Sequence, residues 1–262
     1  MLGPPTYGEM LANIEERTAA MQVAIAGADD RNLSVPDCPG WTLSDLMKHV
    51  GVVQREWAAT VPGEPLPRAV AAADAVNEGG LTWWLQRSTY MLTHALRTAG
   101  PQAATGMRWY SGGPPMTGHD VARRQMQEAA VHAYDAQLTV RREQLLANDI
   151  AIDGIDEFLR RRLAARGPWP YRPARVEVEA LVMPGAGPPA GLERSYHITW
   201  LLDLDGDGAR VTAGERGEPA VRVGGPAGDV LLLLYRRTPY HRASVHGNER
   251  LFAALLDWAD LG

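Results

Sequence analysis

The hydrophobic periodicity of this 262-residue chain changes once, near residue 150, and that change limits what it can fold into. Before it, apolar residues recur at helical spacing. In Thr6 to Ala26, TYGEMLANIEERTAAMQVAIA, the positions Met10, Leu11, Ile14, Ala19, Met21 and Ile25 follow a roughly helical period. Two prolines and a glycine in SVPDCPGW then break the chain. Thr42 starts a second helix as a hydroxyl N-cap, with Asp45 completing a weaker form of the capping box. That helix runs through LSDLMKHVGVVQREWAATV to about Val61, and PGEPLPR follows as a loop. A third helix is expected over Leu81 to Thr98 and a fourth over His119 to Gln137. Between them lies the polar, Gly/Pro-rich connection GPQAATGMRWYSGGPPMTG. Helices of this length with mixed loops predict a four-helix bundle.

Beyond residue 150 a short helix is expected over Gly154 to Ala165, carrying Arg160, Arg161 and Arg162 as a solvated or domain-interface face. After GPWPYRP the period becomes two, in ARVEVEALVM, YHITWLLDL, ARVTAG and PAVRVGG, which reads as strands. Two helices close the chain, AGDVLLLLYRR and NERLFAALLDWAD. The expected class is therefore α+β, with a helical bundle over 1–150 and a smaller α+β domain over 151–262. No internal repeat or low-complexity tract is visible.

Composition narrows the function. A formal charge of −5 argues against a nucleic-acid binder. One cysteine, Cys38, excludes an intrachain disulfide and a cysteine-based metal cage. The start, MLGPPTYGEML, lacks a signal-peptide pattern, and the longest strongly apolar run, VLLLLY, is far short of a membrane span. A soluble, cytoplasmic protein without a membrane partner is the expectation. Abundant Ala, Arg and Gly, with two Phe against eight Trp, hints at a GC-rich coding sequence. No GxSxG elbow, P-loop or GxGxxG is present, so nothing points to a serine hydrolase, an NTPase or a Rossmann enzyme.

The stretch QEAAVHAYD on the fourth helix carries the chemistry. Glu128 and His132 are four apart and Asp135 follows three later, spacings that share one helix face. One helix can supply two metal ligands at i and i+4, and a catalytic zinc takes three protein ligands plus an open position. A third ligand must come from another helix. His49, among Leu46, Met47, Val50 and Val53, is the best candidate. The competing reading is an ion pair on the helix face plus a core histidine held by hydrogen bonds. Asp135 either orients an imidazole from behind or faces solvent near the helix end. Cys38 in DCPGW reads as a small packed residue in a loop that docks Trp41, in preference to a nucleophile.

DLDGDG, Asp203 to Gly208, matches the start of an EF-hand loop, but position twelve is Gly214 and Glu215 comes one residue late. A hairpin turn explains it better. Arg236 and Arg237 follow DVLLLLY, where cations suit a helix C-terminus. They could also clamp a substrate carboxylate. His94, His119, His197, His241 and His246 show no ligand spacing.

CPGWTLSDLMKHVGVVQREW followed at distance by RRQMQEAAVHAYDAQ resembles the mycothiol-dependent maleylpyruvate isomerase family. LLLLYRR…VHGNERLF resembles the end of that family's C-terminal domain, so the likeness covers most of the chain. The resemblance implies a DinB-like four-helix bundle followed by a sterol-carrier-protein-like α+β domain. It implies a zinc site at His49, Glu128 and His132, and loosely matches a reaction-linked arginine to Arg237 or Arg236. It also implies mycothiol, the low-molecular-weight thiol of actinobacteria, as cosubstrate with a small electrophile. Zinc would bind the thiol and favour its thiolate. Addition, bond rotation and elimination then give a cis–trans isomerase; displacement gives an S-transferase, the broader class. Two other readings stand beside it. One is a zinc-dependent hydrolase with Asp135 as general base; the other is a non-catalytic, metal-stabilised binding module. Imidazole and carboxylate ligands suit several divalent transition metals besides zinc. The loops after Gly100 and near Pro62 are expected to shape the substrate entrance.

Overall fold

Among the described residues, threonines start three of the four helices in the first half of the chain. The helices are α1 (Tyr7–Ala26), α2 (Leu43–Ala58), α3 (Leu81–Ala99) and α4 (Gly118–Thr139). Thr6, Thr42 and Thr117 accept from the backbone N–H groups of Glu9, Asp45 and Asp120, and those carboxylates return a bond to the threonine N–H. Each box satisfies donors that a helix start leaves unpaired. The computed structural model describes residues 3–62, 80–109, 114–184, 194–212, 218–237 and 243–259. Residues 63–79, which include most of PGEPLPR, and His241, Gly214 and Glu215 lie outside them.

By its contacts the chain divides between Gln144 and Leu145. Residue 150 itself lies inside α5 (Asn148–Glu157). In the N-terminal unit, α1 packs on α4 and α2 on α3. Met10, Ile14, Met21 and Ile25 of α1, Leu43, Leu46 and Met47 of α2, and Trp84, Leu85, Leu92 and Leu96 of α3 are fully enclosed. A side chain at Gly51 would overlap the Trp84 ring, so glycine here sets how closely α2 and α3 approach. α4 is buried along most of its length. Small residues, Ala129, Ala130, Ala133 and Ala136, let its neighbours close around it.

The polar connection between α3 and α4, where the Gly/Pro-rich sequence predicts a loop, holds two short antiparallel strands, β1 (Ala104–Arg108) and β2 (Pro115–Thr117). They are too short to show alternation, and β2 opens on a proline.

The C-terminal unit begins with α5, earlier than the helix expected from Gly154. It passes through a π turn (Phe158–Arg162) and a 3-10 turn (Ala164–Arg166). The strands are β3 (Ala174–Val182), β4 (Tyr196–Asp205), β5 (Gly208–Thr212), β6 (Val221–Pro226) and β7 (Ser244–Gly247). They form one sheet in the order β5-β4-β3-β6-β7, antiparallel except for β3 with β6. In β3, Val176, Val178, Ala180 and Val182 are buried, and the residues between them are partly exposed. Helices α6 (Ala227–Leu234) and α7 (Glu249–Ala259) follow as expected, with β7 between them as an element the sequence did not signal. DLDGDG is the β4–β5 hairpin: Arg175 grips Asp203 at 2.7 and 3.1 Å, and Asp205 accepts from the Asp207 N–H at 2.9 Å. Arg160 pairs with Asp156 on an exposed surface. Among the described residues no helix is long and apolar enough to cross a membrane.

Candidate metal centre

Helix geometry brings the α4 residues together. Glu128 Oε1 lies 3.0 Å from His132 Nε2, one turn on, and His132 Nδ1 lies 2.9 Å from Asp135 Oδ2. α2 supplies the third group: His49 Nε2 is 3.2 Å from the same Glu128 Oε1. One ligand atom from each of His49, Glu128 and His132 lies within 4.8 Å of the others. Side-chain exposure falls from 31% at His49 through 17% at Glu128 to 7% at His132 and 0% at Asp135. The cluster is thus reached from the His49–Glu128 side and closed behind His132. Asp135, one of the sequence candidates, sits at that closed end.

The charges are strongly coupled. Burial by itself would raise the Glu128 carboxyl, yet hydrogen bonds with His132 and His49, and the charges of His132 and Arg124, hold it well below the usual range. Burial would lower His132; its two carboxylate partners, Asp135 and Glu128, outweigh that and push it up to about 9. The cause is visible in the ring, where both nitrogens face a carboxylate. Without a metal the imidazole is held as an imidazolium. A divalent cation would replace the proton on Nε2, while Nδ1–H stays directed at Asp135, the arrangement that fixes tautomer and orientation in histidine-ligated metals. The donor set, two imidazole nitrogens and one carboxylate oxygen, fits a divalent transition metal. Arg124, one turn before Glu128, lies 3.3 Å from Oε2, which leaves Oε1 to the histidines.

Two neighbours of the cluster come from the loop before α2. The Trp41 N–H donates to the Cys38 carbonyl at 3.0 Å, Pro39 and Gly40 are the central pair, and Gly40 has φ +82°. CPGW is therefore a type II turn, the form that wants proline first and glycine second. At one end the Cys38 thiol lies 3.5 Å from Asp135 Oδ2. At the other the Trp41 ring packs 4.6 Å from His49 and 6.3 Å from His132. Trp41 and Arg124 are not among the candidates that the sequence offers for the site. Arg124 was findable from its i, i+4 spacing to Glu128; for Trp41 only the turn chemistry of Pro39–Gly40 was a hint.

Arg236 and Arg237 lie at the end of α6, in the other unit. The Arg237 N–H donates to Leu232 O at 2.7 Å and the Arg236 N–H to Leu233 O at 3.0 Å, a Schellman closure. Arg236 occupies its left-handed position at φ 58°, where glycine is the usual residue, and its guanidinium pairs with Asp257. Arg237 Nη1 donates to Tyr235 O at 2.8 Å. Of the other histidines, His94 stacks on Tyr90 and His197 pairs with Glu179 on the surface.

Known proteins share this fold. Residues 11–137 match the family described as the mycothiol maleylpyruvate isomerase N-terminal domain, and residues 149–254 match its C-terminal domain. A crystal structure of the mycothiol-dependent maleylpyruvate isomerase superposes with a TM-score of 0.55 at 14% identity, covering 93% of this chain and 95% of that one. A histidine-to-alanine mutant of the mycothiol-dependent maleylpyruvate isomerase superposes with a TM-score of 0.51 at 16% identity, covering 88% and 90%. No curated protein matches the sequence.

Proposed function

Because the chain belongs to the mycothiol maleylpyruvate isomerase family across both of its halves, we propose that it is a divalent-metal enzyme that uses the thiol of mycothiol on a small electrophile. The observation that carries the reading is the convergence of His49 and His132 on one oxygen of Glu128, with Asp135 behind His132. These three ligands would hold a zinc ion or a chemically similar metal. When bound, such an ion supplies positive charge that favours a thiolate over a thiol at neutral pH.

The chain's own residues divide the work. Asp135 keeps the proton of His132 on Nδ1, which would leave Nε2 to hold the ion. Arg124 holds Oε2 of Glu128, which restricts that carboxylate to one donating oxygen. Trp41 walls one side of both imidazoles, while the exposure of His49 and Glu128 leaves an approach for the cosubstrate. The family description favours the isomerase outcome: the thiolate adds to a carbon–carbon double bond, the bond rotates, and the thiolate leaves unconsumed. S-transfer shares the first step and diverges where a substrate carries a leaving group. For the carboxylate of such a substrate, the candidates are Arg237 and Arg236 at the end of α6.

The test is metal content followed by cobalt substitution. About one metal per chain, a thiolate-to-cobalt charge-transfer band on adding mycothiol, and mycothiol-dependent isomerisation of maleylpyruvate are expected. Protein that takes up neither zinc nor cobalt would reduce the cluster to a structural ion pair. Metal uptake without the band would move the reading to a water-activating hydrolase.

A further inference from the structure

Cys38 is the chain's one cysteine and its thiol is turned inward onto Asp135. Resting on the metal-centre reading above, we propose that Cys38 is a positioning residue: its S–H donates to Asp135 Oδ2, the oxygen that also receives His132 Nδ1–H. The chain of contacts runs from Cys38 through Asp135 to His132, at 3.5 and 2.9 Å.

Three features support it. Asp135 has no exposed surface, so its charge must be met by donors inside the protein. Oδ2 accepts from His132, and a second donor on the same atom fixes where that atom sits. A carboxylate that can swing lets the imidazole swing, and a ring that rotates takes Nε2 away from Glu128 and His49. The third feature is local. The type II turn at Cys38–Trp41 sets the direction of the thiol, and the turn is itself anchored. The Val35 N–H donates to Trp41 O at 2.9 Å and the Cys38 N–H to Val35 O at 3.2 Å. Thr42, the next residue, caps the helix that carries His49. One short loop thereby ties the back of His132 to the start of the helix bearing its co-ligand.

The experiment is a cobalt titration of the metal-free full chain, in competition with a chromophoric chelator. It is run for wild type, Cys38→Ala, Cys38→Ser, Asp135→Asn and the double variant Cys38→Ala with Asp135→Asn. Cobalt affinity should fall about three- to tenfold in Cys38→Ala and tenfold or more in Asp135→Asn. Cys38→Ser, which keeps a donor, should stay within about twofold of wild type. The decisive arm is the double variant: if Cys38 acts through Asp135, its replacement costs nothing further once Asp135 is gone. A purely packing role predicts losses that add, and that result overturns the proposal, as does a Cys38→Ala protein that binds cobalt like wild type. If Cys38→Ala fails to fold, the S–H stretching band of the single cysteine decides in infrared spectra. It should shift to higher frequency in Asp135→Asn, and an unmoved band overturns the proposal. Wild-type protein that binds no cobalt sinks the metal centre as well. Wild-type binding with an indifferent Cys38→Ala sinks only the role of the cysteine.

Discussion

α4 and α6 are both buried, and they are buried for opposite reasons. α6 reads AGDVLLLL, and Val230 to Leu234 have almost no exposed surface. Hydrophobic transfer suffices to explain it. α4 is enclosed although it carries Gln125, Gln127, His132, Asp135 and Gln137 on its buried positions. Burying an unpaired charge costs several kcal/mol, so α4 stays inside only because each charge found a partner: His132 for Glu128, Asp135 for His132. A helix that hides because it is apolar contributes stability. A helix that hides despite its charges is where a candidate ligand-binding constellation sits.

The sharpest way to break that contrast is to substitute one residue on each helix. His132→Ala should abolish stoichiometric metal, an affinity loss of ~100-fold or more. Leu231→Ala should leave cobalt affinity within about twofold, yet lower stability by ~3 kcal/mol, as expected for a fully enclosed leucine. Metal analysis and urea denaturation of both variants provide the readout. Stoichiometric zinc in the His132 variant would mean that the ligands are misassigned. Unchanged stability in the Leu231 variant would mean that α6 is not the apolar anchor described.

How much of this was legible follows from the same contrast. α6 announced itself as VLLLLY, and β3 as the alternation of Val176, Val178 and Ala180 with Glu177 and Glu179. The α+β class follows from those patterns. The Glu128–His132 pairing was legible because helix spacing alone puts i and i+4 on one face. His49 could be nominated but not placed, since its approach to Glu128 depends on how α2 packs on α4. Other features had no periodic signal at all. α5 starts after Ala147 with no side-chain cap, and β7 is only SVHG. The stacking of Trp41 and the thiol of Cys38 behind Asp135 depend on a turn meeting a helix 97 residues away in sequence.

A second, smaller test uses pH. In the metal-free protein His132 is raised from 6.5 to about 9. A raised folded value stabilises while both states hold the proton, so the contribution is fully present below about pH 6.5 and is lost as pH rises through about 9. Its size is up to about 3 kcal/mol, from the shift between the two values. Urea midpoints of metal-free protein should therefore decline from pH 6.5 to 9, and His132→Gln should flatten that decline. Loaded with metal, the wild type should lose the slope too, because the ion displaces the Nε2 proton. Metal uptake at pH 7 should then release close to one proton. A midpoint that rises over the same window would reverse the assignment of His132 as a buried imidazolium.

The smallest expected effect concerns how the two helices end. Both close with a Schellman motif, and both put arginine where glycine costs least: Arg141 after α4 at φ 56° and Arg236 after α6 at φ 58°. Relief of the left-handed penalty, set against the greater chain entropy of glycine, should leave Arg141→Gly more stable by ~0.5 kcal/mol, or a rise in Tm of ~1 °C. Arg236→Gly should gain less, because it also gives up the exposed pair with Asp257. The two variants then part on turnover. Arg141→Gly should match wild type in the mycothiol-dependent assay. If Arg236 carries substrate charge, Arg236→Gly should lose activity while gaining or keeping stability, which is the signature of a strained residue retained for function. If Arg236→Gly turns over normally, the arginine at that position is tolerated strain, and Arg237 is the next candidate to substitute.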